Sequence, residues 1–301
     1  MNLKIKIGKL ELRNPIVCAS GTFGSSDELS GLADYASIGA LTAKTITLKP
    51  CPGNQPPRIY ETGCGVINSV GLEGKGLENF IAEDLPRLSK IKTEFILSIG
   101  GFSINEYKTM VKRLSQEKAV KAIELNLSCP NIKRKKIISQ SRKDTYRAIK
   151  ALRGLTKKTL IAKVTPEVTD IKKIAVAAQA AGADAISTVN TFFGLAVNIQ
   201  TASPYLGNCY GGYSGRAIKP MALYRVWMVS KAVKIPVIGG GGIETASDAL
   251  EFIIAGATAV SLGTVNFIDP SSSAKILKGI KSYLKKKKIN DISQLRGSIN
   301  D

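Results

Sequence analysis

Eight short apolar runs, each followed by a longer stretch with helical periodicity, limit the possible folds of this 301-residue sequence more than any other feature. The runs are mostly continuous rather than alternating, which is typical of parallel strands covered on both faces. Helices are predicted over 171–181, 222–232 and 246–255, among others. The predicted strands cover residues 16–19, 41–45, 95–99, 122–127, 160–165, 185–190, 236–240 and 259–263.

This alternation predicts an α/β protein with a single (β/α)8 TIM barrel. An open doubly wound sheet would carry G-x-G-x-x-G after its first strand, and that motif is absent from the sequence. Before the barrel, Leu3, Ile5 and Ile7 alternate with lysines and precede a turn at Gly8, which predicts an N-terminal β-hairpin over 1–13. We expect one domain over 1–301 with a helical tail over 271–301.

The sequence contains no histidine. This excludes the Ser-His-Asp triad, the Cys-His dyad, His-ligated metal sites and an imidazole base. Its five cysteines form no C-x-x-C pair, so neither a disulfide framework nor a zinc or iron–sulfur site is indicated. No apolar run reaches the ~18 residues of a membrane span, and the first residues do not resemble a signal peptide. We therefore expect a reduced, cytoplasmic protein without a bound metal or a membrane anchor.

The net charge is +20, from 43 Lys and Arg against 23 Asp and Glu. Clusters occur at 133–136, with two more basic residues at 142–143, and at 285–288. They can be solvated lysines, a field that steers anionic ligands or an acidic partner protein, or the surface of a nucleic-acid-binding module. Aromatic residues make up only 6% of the chain and do not interleave with the basic residues, so the charge does not decide among these alternatives.

Polar residues follow the predicted strands at the point where each strand ends. In parallel barrels the carboxyl ends of the strands form one face, and active sites lie there. The sequence therefore predicts a polar site at that face, built from residues that include Lys44, Thr45, Asn126, Lys163, Asn190 and Thr191.

Two glycine-containing loops follow the seventh and eighth strands. Residues 239–242 are all glycine and precede a helix start with Thr245 and Asp248, which have the spacing of a capping box. Gly263 and Thr264 follow the eighth strand. Glycine lets backbone N–H groups approach an anion, and a helix N-terminus attracts negative charge, so this pair of loops predicts a phosphate site.

Several motifs together resemble class 1 dihydroorotate dehydrogenases, and the resemblance runs from residue 14 to about residue 270. NTFFG at 190–194, followed by LGN at 206–208, is most similar to subclass B. The other motifs are LTAKT at 41–45, INSVGL at 67–72, AIELNLSCPN at 122–131 and GGYSGRAIKP at 211–220.

The resemblance implies an FMN barrel that oxidises dihydroorotate to orotate in pyrimidine biosynthesis, with Cys129 as the base. Removing two hydrogens beside a carbonyl needs a base for one carbon and a hydride acceptor for the other. Cys18, in an apolar strand, fits an inert thiol, and the other three cysteines match no catalytic motif. The implied FMN contacts are Ser20, Lys44, Thr45, Asn126, Lys163, Val189, Gly215, Gly241, Gly242, Gly263 and Thr264. The implied substrate contacts are Lys44, Asn68, Ser69, Val70, Gly71, Leu72, Asn126, Asn131, Asn190 and Thr191.

Two departures from the family pattern affect these expectations. Ser98 stands where the subclass usually has asparagine, which puts one flavin contact in question. The loop over 132–142 lacks the family's glycine. Subclass B further implies a partner subunit with FAD and a 2Fe–2S cluster, in a heterotetramer of two plus two, that passes electrons to NAD. The alternatives are a homodimer that uses fumarate, a dihydropyrimidine dehydrogenase-like or dihydrouridine synthase-like flavin barrel, and a basic nucleic-acid-binding module.

Overall fold

The computed structural model describes residues 1–24, 28, 31–128, 130–131 and 136–300. Eight parallel strands close into a barrel, and each pairs with the next along the chain until the last pairs with the first. The predicted (β/α)8 barrel is confirmed. Its strands are β1 (Ile16–Cys18), β2 (Ala40–Thr42), β3 (Glu94–Ile99), β4 (Ala122–Asn126), β5 (Thr159–Lys163), β6 (Ala185–Thr188), β7 (Val237–Gly240) and β8 (Ala259–Leu262).

Helices surround the barrel and bury one apolar stripe each. In Ile104–Gln116, for example, the Ser103 hydroxyl accepts a hydrogen bond from the Glu106 N–H and caps the helix. Its buried residues follow the 3.6-residue period, so that face packs inward. The α-helices are Leu77–Asn79, Leu85–Leu88, Ile104–Gln116, Arg142–Arg153, Ile171–Ala180, Lys219–Ala232, Ala246–Ile254, Val265–Ile268 and Ser272–Lys286. A π-helix spans Phe80–Asp84, and 3-10 turns span Tyr35–Ser37, Ile138–Gln140, Arg216–Ile218 and Ile292–Leu295.

The predicted N-terminal hairpin is present and pairs Ile5–Ile7 with Leu10–Leu12. Its buried side chains Ile7, Leu10 and Leu12 form one apolar cluster with residues of all eight barrel strands, among them Val17 of β1 and Ile161 of β5. Because the cluster fills the end of the barrel where the strands begin, the hairpin closes that end. The cavity that reaches into the barrel lies at the opposite end.

A four-stranded antiparallel sheet lies outside the barrel and was not predicted. Its strands, in spatial order, are Phe192–Gly194, Gly211–Ser214, Gly65–Asn68 and Ile59–Thr62. Residues of three of these strands border the cavity at the carboxyl ends of the barrel strands. Two small hairpins accompany it, one joining Pro130–Asn131 to Lys136–Ile137 and the other Val197–Asn198 to Ser203–Pro204.

In the described part of the chain, no helix combines the length and apolar character needed to cross a bilayer. The helix Ser272–Lys286 packs beside Ala246–Ile254 and contributes Ile276, Leu277 and Ile280 to the main core. The single-domain organisation over 1–301 stays a prediction.

Candidate active site

A cavity of about 810 Å³ opens at the carboxyl ends of the barrel strands. It brings together ten of the eleven residues predicted to contact the cofactor: Ser20, Lys44, Thr45, Lys163, Val189, Gly215, Gly241, Gly242, Gly263 and Thr264. Predicted substrate contacts that also line it are Lys44, Asn68, Val70, Gly71, Leu72, Asn190 and Thr191. The roles of these residues toward a ligand stay predictions.

Four predicted residues are placed differently. Cys129 lies outside the described residues, and only the backbone of Asn131 is described. Ser69 is buried and does not line the cavity, because its hydroxyl and carbonyl oxygens accept hydrogen bonds from the Asn54 amide at 2.9 and 3.1 Å. Asn126 is buried at the end of β4, where its Oδ1 accepts a long hydrogen bond of 3.4 Å from the Asn190 amide.

The glycine loop after β7 lets the backbone pass close to the cavity. Gly242 has a φ of +75°, and a Cβ built on it would lie 2.8 Å from the Gly215 carbonyl oxygen. Gly263 differs, since a Cβ there would meet only the Cβ of Ala19, at 3.9 Å. A side chain at Gly263 would therefore occupy cavity space rather than clash with the backbone. The two loops together line the part of the cavity where the sequence predicts a phosphate site.

The helix Ala246–Ile254 begins directly after this loop with the predicted capping box. The Asp248 carboxylate accepts from the Thr245 N–H at 2.8 Å, and the Thr245 hydroxyl accepts from the Asp248 N–H at 3.2 Å. Lys219 donates to Asp248 at 2.6 Å and to Glu251 at 3.1 Å, which ties the preceding helix to this one. The hydrogen bond to Asp248 raises the pKa of Lys219. Burial acts to raise the pKa of Asp248, but these hydrogen bonds outweigh it and lower that pKa.

A chain of hydroxyl groups connects the cavity wall to the barrel interior. Ser20 donates to the Ala43 carbonyl at 2.9 Å and shares a hydrogen bond of 3.1 Å with Thr45. Thr45 shares a further hydrogen bond of 2.9 Å with Ser98, which is completely buried. Ser98 therefore orients Thr45 from behind and does not itself line the cavity. This placement explains how the barrel accommodates serine at that position.

Lys163, the last residue of β5, lies on the inner wall of the cavity with only 13% of its side chain exposed. Its Nζ is 3.8 Å from Glu124 Oε1 on β4. An ammonium group with so little exposure to water needs a negative partner or ligand. Lys163 is therefore suited to hold negative charge in the cavity.

Lys44 forms part of a second charged group at the cavity mouth. Its Nζ is 3.8 Å from Glu73 Oε2, and the same oxygen forms an ion pair with Arg58 Nη1 at 3.1 Å. Arg58 in turn donates to the Pro52 carbonyl at 2.8 Å, so the charged group joins two loops. Glu73 was not predicted, although it follows the INSVGL motif immediately and lines the same cavity. Phe267, with 68% of its surface exposed, also lines the cavity and was missed.

The described cysteines divide into buried and exposed thiols. Cys18 on β1 is completely buried, and burial raises the pKa of its thiol above the usual range. It therefore has the character of the inert thiol predicted from its apolar strand. Cys51 is half-buried, whereas Cys64 and Cys209 are exposed, and none of these three lines the cavity.

A closed barrel with two glycine loops, a half-buried lysine and several amides around one cavity is the arrangement expected of a barrel enzyme with a phosphate-bearing ligand. The model of the dihydroorotate dehydrogenase family matches residues 2–284. The chain belongs to the dihydroorotate dehydrogenase family, as its motifs predicted.

Curated relatives place it near subclass B. The chain is 45% identical over 300 residues to the catalytic subunit of dihydroorotate dehydrogenase B (NAD(+)) from Thermoanaerobacter sp. (strain X514), with 99% of both chains covered. It is 46% identical over 301 residues to the subunit of the same name from Caldicellulosiruptor bescii, with 100% of both covered. The crystal structure of Eimeria tenella DHODH in complex with ferulenol superposes with a TM-score of 0.82 at 24% identity. That superposition covers 99% of this chain and 88% of the other, and supports the barrel fold.

Proposed function

We propose that this chain is a catalytic subunit that oxidises dihydroorotate to orotate in pyrimidine biosynthesis. The observation that carries the proposal is that motif residues scattered between Ser20 and Thr264 line one cavity in a chain that matches the family over almost its full length. The activity named for the relatives requires a hydride acceptor, a base and a site for an anionic ring. The cavity offers a place for each.

FMN fits the chemistry of this cavity as the bound cofactor. A volume of about 810 Å³ lies within the ~300–1,000 Å³ typical of cofactor pockets. The glycine cradle at Gly242 and Gly263 would hold the phosphate, Ser20 and Thr45 would bind along the flavin, and Lys163 would face its pyrimidine edge. Flavins supply a hydride acceptor when bound. The fixed ammonium of Lys163 would stabilise negative charge that develops at that edge.

The substrate site would lie over the flavin, toward the cavity mouth. The cavity is lined by two asparagines and a threonine, Asn68, Asn190 and Thr191. The side-chain amide of each asparagine offers a hydrogen-bond donor and an acceptor to a cyclic diimide. The Asn68 amide also donates to the Gly212 carbonyl at 3.2 Å, which fixes its orientation. Lys44 would pair with the substrate carboxylate. Its ion pair with Glu73 is long and both side chains are half-exposed, so the lysine ammonium is available to a second negative group.

The proposed base is Cys129, which follows β4 by three residues. Since the chain has no histidine, a thiolate in a basic environment is a chemically suitable base at neutral pH. Cys129 would take the proton from one ring carbon while hydride leaves the neighbouring carbon. The hairpin that joins Pro130–Asn131 to Lys136–Ile137 begins one residue later.

A separate subunit would carry electrons onward to NAD. The relatives are named as catalytic subunits of an NAD(+)-linked enzyme, which supports a second, electron-transferring chain. We assign FAD and a 2Fe–2S cluster to that partner and propose two copies of each subunit. A cytoplasmic location stays a prediction.

Anaerobic addition of dihydroorotate to the purified yellow protein tests the function. We expect the visible flavin absorbance to bleach, by roughly one flavin for each chain. NAD should restore the colour only when the partner subunit is present, and co-purification with iron analysis would identify that partner. A colourless chain would exclude the flavoenzyme and favour a nucleic-acid-binding module. Fast recovery with fumarate in a lone homodimer would exclude the NAD-linked complex.

The variant Cys129→Ala tests the base. It should retain flavin and lose nearly all turnover at neutral pH, about 10²-fold or more. Cys64→Ala, which removes an exposed thiol outside the cavity, is the matched control and should be unaffected. Near-normal turnover of Cys129→Ala would assign the proton transfer to another group.

A further inference from the structure

Glu124 is a buried carboxylate that the proposed reaction does not use. It lies in the middle of β4 with 5% of its side chain exposed and does not line the cavity. Its Oε1 is inaccessible to solvent and has no hydrogen-bond partner among the described residues. A carboxylate in such a position is costly unless a positive charge compensates it, so its presence inside the barrel needs a physical reason.

The strand register places Glu124 one inward-facing step below Lys163. On the paired strands β4 and β5, Lys163 lies opposite Asn126 and Ile161 lies opposite Glu124. Residues two apart in a strand face the same side, so Glu124 and Asn126 both point into the barrel. The Lys163 ammonium is thus between the cavity on one side and Glu124, 3.8 Å away, on the other.

We propose that Glu124 is the counter-ion of Lys163. It thereby acts as a positioning residue, because it determines how much positive charge the inner wall of the cavity presents to the bound flavin. At 3.8 Å, with only 13% and 5% of their side chains exposed, the two groups attract each other, which holds the ammonium near β4 and reduces its field in the cavity. The consequence for the flavin rests on the proposed function, whereas the ion pair does not. Removing Glu124 leaves the ammonium charge uncompensated, and that charge then favours the reduced, more negative flavin.

A double-mutant cycle tests the ion pair directly. Glu124→Gln, Lys163→Met and the double variant are unfolded by urea as full-length chains, with and without added FMN. We expect each single variant to be less stable than the parent and the double variant to lose less than the sum of the two losses. Additive losses would show that Glu124 does not act through Lys163 and would overturn the proposal.

The midpoint potential of the bound flavin provides a readout that a purely structural role would not change. Glu124→Gln should shift this potential to more positive values. For a two-electron couple, a tenfold change in the affinity for reduced relative to oxidised flavin corresponds to a shift of about 30 mV. In the Lys163→Met background the same substitution should produce no shift. An equal shift in both backgrounds, or none in the parent, would overturn the proposed role.

Glu94→Gln is the control for this measurement. Glu94 begins β3 at the opposite end of the barrel, where its carboxylate pairs with Lys121 at 2.7 Å, and it should leave the potential unchanged. A wild-type chain that binds no flavin would contradict the proposed function alone. The unfolding cycle would still decide whether Glu124 is the counter-ion.

Discussion

The hydroxyl of Tyr107 donates a hydrogen bond of 2.6 Å to the backbone carbonyl of Asn126. Tyr107 is completely buried in the helix Ile104–Gln116, and Asn126 is the last residue of β4. The bond therefore connects the outer helix layer to the strand end that leads to Cys129. It fixes the direction in which the chain leaves the barrel at the proposed catalytic loop.

Tyr107→Phe should destabilise the fold and weaken catalysis together. The substitution leaves a buried carbonyl without this donor, which costs about 1–3 kcal/mol in the free energy of unfolding. Urea unfolding measures this loss of stability. A lower kcat would report that the end of β4, which leads to the proposed base, has moved. Tyr146→Phe, on the exposed side of the helix Arg142–Arg153, should change the free energy of unfolding by less than about 0.5 kcal/mol. Equal stability of the two variants would contradict the structural role of the bond.

Two glycines that line the cavity should respond differently to substitution. Gly263→Val places a side chain in open cavity space, so the protein should keep its melting temperature and lose bound flavin. Gly241→Ala should instead lower stability by about 1–3 kcal/mol, because φ is +127° and a Cβ would lie 2.6 Å from the Cβ of Ala222. Flavin absorbance per chain and thermal unfolding separate the two effects.

Gly154→Ala is the matched control for both glycine variants. A Cβ at Gly154 meets nothing within 4 Å, and the residue has a helical φ of −66°. It should keep its flavin and gain up to about 1 kcal/mol in stability. Full flavin content in Gly263→Val would place the phosphate elsewhere.

Alkylation by iodoacetamide should distinguish the cysteines. Cys64 and Cys209 are exposed and should react in the native protein. Cys18 should react only after unfolding, since it is inaccessible and burial raises the pKa of its thiol. Mass spectrometry of protein labelled with and without urea measures the extents. Native labelling of Cys18 at the rate of Cys64 would show that β1 opens readily.

Asp248→Asn should reduce stability in a pH-dependent way. Burial disfavours its charge, but hydrogen bonds from Lys219 and Thr245 keep the pKa of Asp248 below its usual value. The stabilisation is therefore complete above the unfolded pKa of about 3.9 and is lost as the pH falls through the lower folded pKa. At neutral pH the variant should lose about 1 kcal/mol, and the difference from wild type should shrink below pH 4.

Asp170→Asn provides the comparison. Asp170 caps the helix Ile171–Ala180 by accepting from the Lys172 N–H at 3.0 Å, and asparagine caps helices about equally well. Unfolding curves from pH 3 to 7 for both variants measure the effect. A constant difference between Asp248→Asn and wild type across that range would exclude the titration of Asp248 as its cause.

The barrel itself could be predicted because its strands are covered on both faces. Continuous apolar runs such as β1 and β7 have no other stable location, and all eight predicted strands overlap the observed ones. The four-stranded outer sheet could not be found in the same way. Its strands have mostly half-exposed residues, and its pairing of Gly212 with Asn68 joins positions far apart in the chain.

Site residues could be predicted where the residue type is rare in that position of a fold, such as a lysine at the end of an apolar strand. They could not be predicted where the role of the residue depends on which side chains the fold brings next to it. A lysine at the end of an apolar strand indicates a site, and Lys163 does line the cavity. Glu124 gave no comparable signal, because its role depends on a neighbour 39 positions away across two strands. Ser69 belongs to a motif and still points away, since alternate residues of an extended segment face opposite sides.

The N-terminal hairpin has a consequence for the order of binding. Because Ile7, Leu10 and Leu12 fill the end where the strands begin, the cavity has a floor and ligands must pass through the mouth at the other end. Lys163, with 13% of its side chain exposed, lies deeper than Lys44, with 35%, so a molecule that reached Lys163 would lie beneath anything held by Lys44. The deeper ligand would then have to bind first and dissociate last. A bound substrate or product would block the cavity mouth and slow the dissociation of the group below it.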